Sequence, residues 1–362
     1  MKYYIIAGEA SGDLHGSNLM KALFKQDEEA DIRFWGGDLM QRIGGELVMH
    51  YKDRQFMGFA EVILNLRKVL GQIKFCKSDI EKFQPDVIIF IDNSGFNLRI
   101  AKWAKALNYK THYYISPQVW ASRASRVEKI KQDVDAMYCI LPFEKAFYKK
   151  YDYDVNFVGH PLIDAIANRP QVNDQVFREE HKLSDQPIIA LLPGSRKQEI
   201  SRILPVMLET AKNLNYENVA IACTDNFNQD FYTQFVGSNE NVKLVYGQAW
   251  NLLNQSDVAL VTSGTATLET ALIGCPQIVL YKTSPLSYTL GKKLIKVKHI
   301  SLVNLILNRG EVVELIQNDV TVNNICKSIG LIQSKQAKLV KNELKLVLGN
   351  SKSKVEQFSF LV

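Results

Sequence analysis

The chain has 362 residues, 46% of them apolar and 23% charged, with a formal net charge of +6. This length suits two domains, and the composition is that of an ordinary globular protein, which excludes fibrous, disordered and membrane-spanning classes. The five cysteines are odd in number, widely spaced and lack any CxxC pair, which excludes a disulfide framework and points to thiols in a reducing cytosol.

Tyr3 to Ala7 reads as a buried strand, too short for the apolar core of a signal peptide. Gly8-Glu9-Ala10-Ser11-Gly12-Asp13 is its loop, and a helix follows from about Leu14 to Lys25. A strand, a glycine loop and a helix in this order open a doubly wound α/β sheet. The full GxGxxG fingerprint is missing, so a nicotinamide site is not indicated. Glu9, Ser11, Asp13 and His15 fall outside the carboxyl end of the strand, where this topology places ligands. Turn chemistry and helix capping are equally good explanations for any one of them.

Phe56 to Leu70 departs from the pattern, being unusually apolar for a helix between strands and flanked by Arg54, Arg67, Lys68, Lys74 and Lys77. Phe56, Met57, Phe59, Val62, Ile63, Leu66 and Val69, with Arg67 and Lys68, form a candidate acyl-chain or membrane contact. A core helix is the plainer alternative. Further strands are expected at Ile32 to Trp35, Asp86 to Ile91, Thr111 to Ile115 and Ala136 to Leu141. The strand ending at Ile91 runs into Asp92-Asn93-Ser94-Gly95-Phe96-Asn97, which puts Asp92 at a crevice position, as a site carboxylate or a helix cap.

Asn168 to Asp174 is a polar break carrying Pro170, and it sets the expected boundary between domains 1–167 and 168–362. Strands then recur at Ile188 to Leu192, Val219 to Ala222, Val242 to Val245, Val258 to Val261 and Ile278 to Tyr281. The expected architecture is two Rossmann-like domains facing across a cleft, the α/β arrangement called glycosyltransferase B. In the second domain, Pro193-Gly194-Ser195-Arg196 offers a mobile backbone and a forked cation for a diphosphate, although Arg196 could equally pair with Glu199 or Glu269. The turn Ser263-Gly264-Thr265-Ala266 opens a helix whose first N–H groups and dipole favour a phosphate. Glu269 lies just over one helical turn further on, within reach of a ribose diol, or is a solvated residue of a capped helix. No run of bases interleaved with stacking aromatics argues for nucleic acid, and no stretch is long enough to cross a membrane.

Taken in order, Gly8 to Asp13, His112 to Ala121, Leu141 to Tyr148, Val158-Gly159-His160-Pro161, Leu192 to Arg196, Ser263 to Glu269 and Ser301 to Leu305 make the chain resemble the lipid-A-disaccharide synthases from about residue 3 to about residue 318. The resemblance implies an inverting glycosyltransferase that joins UDP-2,3-diacylglucosamine to 2,3-diacylglucosamine 1-phosphate through a β-1,6 bond and releases UDP. It implies no cofactor and no catalytic metal. It also implies a place on the cytoplasmic face of the inner membrane of a Gram-negative bacterium.

By matching motif, Gly194, Ser195, Arg196, Ser263, Gly264, Thr265, Ala266, Glu269 and Asn304 would bind the nucleotide sugar in the second domain. Ser11, Gly12 and Asn97 would contact substrate from the first, which holds the lipid acceptor. Many family members carry an aspartate two residues before the Asn97 position as general base, and this chain has Gly95 there. Asp92 is the nearest carboxylate, with Glu9, Asp13 and His15 in reserve. The rivals are a UDP-sugar 2-epimerase of similar fold and a non-catalytic nucleotide-binding module that docks on membranes. The family resemblance allows a homodimer, and the terminal helical segment packing on the first domain or on a partner subunit. Thr321 to Val362 adds no support of its own to either.

Overall fold

The computed structural model describes every residue except 55–65, 123, 171, 238, 286–287, 290–296, 333 and 350–362, and it leaves the side chains of Arg54 and Leu66 undescribed. The described residues form two compact units, 1–161 and 162–349. The division falls ahead of the Asn168 to Asp174 break, with residues 162–167 grouped in the second unit.

The first unit is built on a seven-stranded parallel sheet. Its strands are β1 (Lys2–Ala7), β2 (Asp31–Gly36), β3 (Glu46–His50), β4 (Val87–Ile91), β5 (Lys110–Tyr114), β6 (Ala136–Cys139) and β7 (Asn156–Phe157), in the order β3-β2-β1-β4-β5-β6-β7. β4 reads Val-Ile-Ile-Phe-Ile and is buried throughout, as expected where helices cover both faces of a parallel sheet. The helix Leu66–Phe83 lies on this sheet through buried Cys76 and Ile80. A polar network locks it there: the Tyr4 hydroxyl donates to Asp79 at 2.7 Å, the Trp35 indole donates to Tyr4 at 2.8 Å, and Arg33 pairs with Asp79 at 3.0 Å.

The second unit repeats the plan with β8 (Ile188–Leu192), β9 (Asn218–Cys223), β10 (Val242–Tyr246), β11 (Val258–Thr262), β12 (Gln277–Tyr281) and β13 (Val313–Ile316), ordered β10-β9-β8-β11-β12-β13 and all parallel. The terminal helix Ser334–Leu348 packs on this unit through buried Val340, Leu344 and Leu348. Lys341 donates at 2.6 Å to the carbonyl of Ile273, the last residue of the helix Thr265–Ile273.

In each sheet the chain reverses direction once, between β1 and β4 and again between β8 and β11. Loops leaving the carboxyl ends of the two strands at such a point diverge to opposite faces and open a crevice.

Candidate functional site

In the first unit Ala7 pairs with Ile91, so the loops that follow, 8–9 and 92–93, leave the sheet side by side. A Cβ on Gly8 would come within 2.0 Å of the Asn93 side chain, so only glycine allows the two loops to approach this closely. Asp92 and Asn93 both adopt left-handed backbone angles, φ 46° and 42°. Asp and Asn tolerate that region better than other L residues, yet two in succession are held only by over-determined surroundings. The surroundings are visible: the Asp92 carbonyl accepts from the Asn97 amide at 2.9 Å and from the Tyr113 hydroxyl.

This arrangement presents the half-buried Asp92 carboxyl near the exposed Glu9. Burial, reinforced by the charge of Glu9, pushes the Asp92 carboxyl up to about 6. A carboxylate with an affinity for protons close to the working pH is matched to general-base work. Gly95, on the first turn of the helix Ser94–Ala106, is exposed and has open space where a Cβ would stand.

Several residues proposed for this site do other work. Asp13 is buried and accepts from the backbone N–H groups of Gly37, Leu39 and Met40 at 2.8, 3.0 and 3.0 Å, which fastens the loop after β2. His15 is buried with His160 as its neighbour, and burial pushes the two imidazoles down to about 4 and about 3, leaving both neutral. Asn97 is wholly buried, and its amide donates to the carbonyls of Ile6, Ile91 and Asp92. Through that amide nitrogen it stitches β1 to β4. Gly12 is buried against Ala7, whereas Ser11 is half-exposed on the first turn of the helix Ala10–Gln26.

In the second unit Val261 pairs with Leu192, so the 193–196 and 263–265 loops also emerge together. Gly194 takes φ +105°, and a Cβ there would meet the Glu199 carboxylate at 2.8 Å. Glu199 accepts from the Arg196 backbone at 3.3 Å and from its guanidinium at 2.8 Å. The Arg196 side chain is nonetheless 71% exposed, at the start of the helix Lys197–Asn213, and Ser195 is exposed beside it. Across the crevice, Ser263 is anchored by its backbone N–H to Leu280 and by its hydroxyl to Ile300, at 2.9 and 3.0 Å. Gly264 and Thr265 are exposed, Ala266 is half-buried, and the space above Gly264 is open.

Glu269 points back toward this crevice's neighbouring helix, and its carboxylate accepts from the Trp250 indole at 2.6 Å. Burial raises its proton affinity and the indole bond opposes that rise. Asn304 is held by the fold itself. It is buried, its amide donates to Val312 and Glu314 at 2.9 and 2.8 Å, and its oxygen accepts from the backbone of Glu311 and Val312 at 2.8 and 3.0 Å. Every hydrogen-bonding position of that amide is filled by the fold.

Two centres escape sequence reasoning. Trp250 stands nineteen positions from Glu269, on the helix Ala249–Gln255, and no spacing rule links them. Glu144 is the other: one oxygen accepts from the Ser116 hydroxyl at 2.6 Å and the Trp120 indole at 3.2 Å, the other from the backbone of Ile140 and Leu141 at 3.2 and 2.9 Å. Burial pushes this carboxyl up to about 7. The available signal for Glu144 is that His112 to Ala121 and Leu141 to Tyr148 are both motifs of the family resemblance.

Of the acyl-contact residues, Phe56, Met57, Phe59, Val62 and Ile63 lie outside the described residues, as does the side chain of Leu66. Arg67 and Lys68 are exposed and Val69 is half-buried. On the same helix Leu70 is 55% and Phe75 46% exposed. Among the described residues no helix is long and apolar enough to cross a membrane.

Comparison with known proteins places this geometry. Residues 3–358 match the family model described as lipid-A-disaccharide synthetase. A lipid-A-disaccharide synthase from Syntrophus aciditrophicus is 40% identical over 351 residues, covering 94% of this chain and 91% of that protein. Among solved structures, a UDP-GlcNAc 2-epimerase from Neisseria meningitidis bound to UDP-GlcNAc superposes with a TM-score of 0.71 over 100% of this chain and 99% of that one, at 14% identity. A glycotransferase of kitacinnamycin gives 0.63, covering 99% and 98% at 12% identity. The fold is thus the glycosyltransferase B type that glycosyltransferases and 2-epimerases share.

Proposed function

The chain belongs to the lipid-A-disaccharide synthetase family, and on that premise we propose which of its residues carry the reaction. It is a glycosyltransferase of lipid A biosynthesis, joining UDP-2,3-diacylglucosamine to 2,3-diacylglucosamine 1-phosphate in a β-1,6 link and releasing UDP. The observation that carries this is the family match over residues 3–358. The 2-epimerase likeness, at 14% identity, speaks for the fold alone.

The second unit binds the nucleotide. What supports this reading is that the Gly194–Arg196 and Ser263–Ala266 loops leave adjacent strands where the sheet reverses. Arg196 turns from Glu199 to the diphosphate, the start of the helix Thr265–Ile273 faces the same charge, and Glu269 accepts from the ribose. The first unit binds the lipid acceptor, with Glu9 and Ser11 beside it. In the reaction the acceptor's 6-hydroxyl oxygen bonds to the anomeric carbon of the donor as the bond from that carbon to the diphosphate breaks. Asp92 takes the hydroxyl proton, standing in for the aspartate that Gly95 replaces. Arg196 and the helix start stabilise the charge gathering on departing UDP, which is where preorganised donors act most strongly.

The protein lies on the cytoplasmic surface of the inner membrane. Leu70 and Phe75 enter its interface while Arg67, Lys68 and Lys74 meet anionic headgroups, each base contributing about 1 kcal/mol near such a surface. Incubating the purified full chain with both lipid substrates tests the whole reading: a disaccharide 1-phosphate and one UDP per bond are expected. A 2-epimerised UDP-sugar with the acceptor untouched would support the epimerase instead.

A further inference from the structure

We infer that Trp250 is the positioning residue that holds Glu269 in the orientation the nucleotide sugar requires. The inference rests on the reading of Glu269 as the ribose contact. Trp250 is the second residue of the helix Ala249–Gln255, which follows β10 and packs against the helix Thr265–Ile273 that carries Glu269. Its indole N–H lies 2.6 Å from Oε2 of Glu269, and this is the one hydrogen bond to that carboxylate among the described residues.

The chemistry of the pair is one-sided. An indole N–H donates and cannot accept, and its ring is a rigid plate with two rotatable bonds behind it. A glutamate is the reverse: flexible, with two equivalent oxygens. Tying Oε2 to the indole selects one rotamer and leaves Oε1 as the oxygen not engaged by that bond. The bond also favours the ionised form, which the surrounding burial disfavours. A diol donates to a carboxylate, and a protonated carboxyl is the poorer acceptor for it. Trp250 therefore acts on nucleotide affinity through both the direction and the charge of Glu269, without touching the reacting atoms.

The test is calorimetric titration of UDP into wild type, W250F, E269Q and the double variant of the full chain, between about pH 5 and pH 8. W250F is expected to bind about tenfold more weakly at neutral pH, the loss typical of a hydrogen bond to a charged group. Its affinity should also begin to fall at a higher pH on acidification than that of wild type, because the group that must stay ionised has lost the donor favouring that form. In the E269Q background W250F should change nothing further. W250M, which keeps apolar volume without the donor, should repeat the W250F result if the phenylalanine variant melts early. With UDP-sugar saturating, kcat should stay within about twofold while KM rises. A W250F affinity and pH profile equal to wild type, with E269Q weakened, overturns the role of Trp250 alone. Equal losses from W250F with and without Glu269 mean a purely structural tryptophan and overturn it too. Wild-type UDP affinity in E269Q overturns the ribose reading of Glu269, and the inference with it.

Discussion

The two reversal points, β1/β4 and β8/β11, share a topology and differ in almost every side chain placed on it. At β1/β4 the loops carry acids, Glu9 and Asp92, and the close approach is achieved by Gly8 facing two left-handed residues. At β8/β11 they carry Gly194, Ser195, Arg196, Ser263 and Gly264, with a helix start on each side. Parallel strands and their helices bring backbone N–H groups to the same edge in both cases. The decoration then decides what that edge attracts. Acids beside one another raise proton affinity and suit taking a proton, whereas a guanidinium and open glycines suit an anion. The fold supplies the position, and a few loop residues supply the sign.

The sharpest way to break this comparison is to neutralise the acid. D92N should lower kcat by about a hundredfold to ten-thousandfold, the usual contribution of a positioned base, and leave UDP affinity as in wild type. In wild type kcat should climb with pH through about 6, since Asp92 must be ionised to accept a proton and burial raises its affinity for one. A D92N enzyme with near-normal turnover and an unaltered pH profile moves the base elsewhere, with Glu9 the nearest acid. The mirror experiment is R196A. UDP should bind about ten- to a hundredfold more weakly by calorimetry, because a charged hydrogen-bonding group is lost from an anion site. The apo partner Glu199 would be left without its guanidinium, at little cost on so exposed a surface.

A smaller effect separates motif residues that bind from motif residues that build. N304A removes four hydrogen bonds inside the second unit and should cost about 1–3 kcal/mol of stability for the donors and acceptors left buried. A melting temperature lowered by several degrees, with UDP affinity retained by the folded fraction, is the expected pair of readings; weakened UDP binding at unchanged stability reverses the assignment. The smallest effect expected is on the membrane side. L70S should reduce sedimentation with anionic vesicles and hardly move the melting temperature, since its side chain already faces solvent. Unchanged vesicle binding would detach this helix from the membrane role.

The sheets were readable from sequence wherever apolar runs were continuous, as in Val87–Ile91 and Val258–Thr262. Strands β3, β7 and β13 were not, because β3 and β13 each include a glutamate in an edge position and β7 is two residues long. The loops of both reversal points were legible for the same reason that they are functional: glycines and small polar residues interrupt an apolar run there. Individual roles were less so. Asn97 and Asn304 sit in recognisable motifs, and only their burial and their hydrogen bonds show that they also hold the loops in place. Asp13 resembles a site acid until its three backbone donors are seen. Trp250 acquires meaning only when two helices are folded together.

Glu144 carries one last consequence, which concerns how such chains can be recombined. Its carboxylate gathers Ser116 and Trp120 from one loop and closes on the backbone at 140–141 that it shares with its own helix. The two stretches are coupled as a single module although some twenty residues separate them. A chimera that imports the 116–120 loop from a relative without its 140–144 counterpart would strand a buried acid among donors that no longer point at it. Crossover points for building hybrids of this protein therefore belong before β5 or after the helix Pro142–Lys149, and not between them.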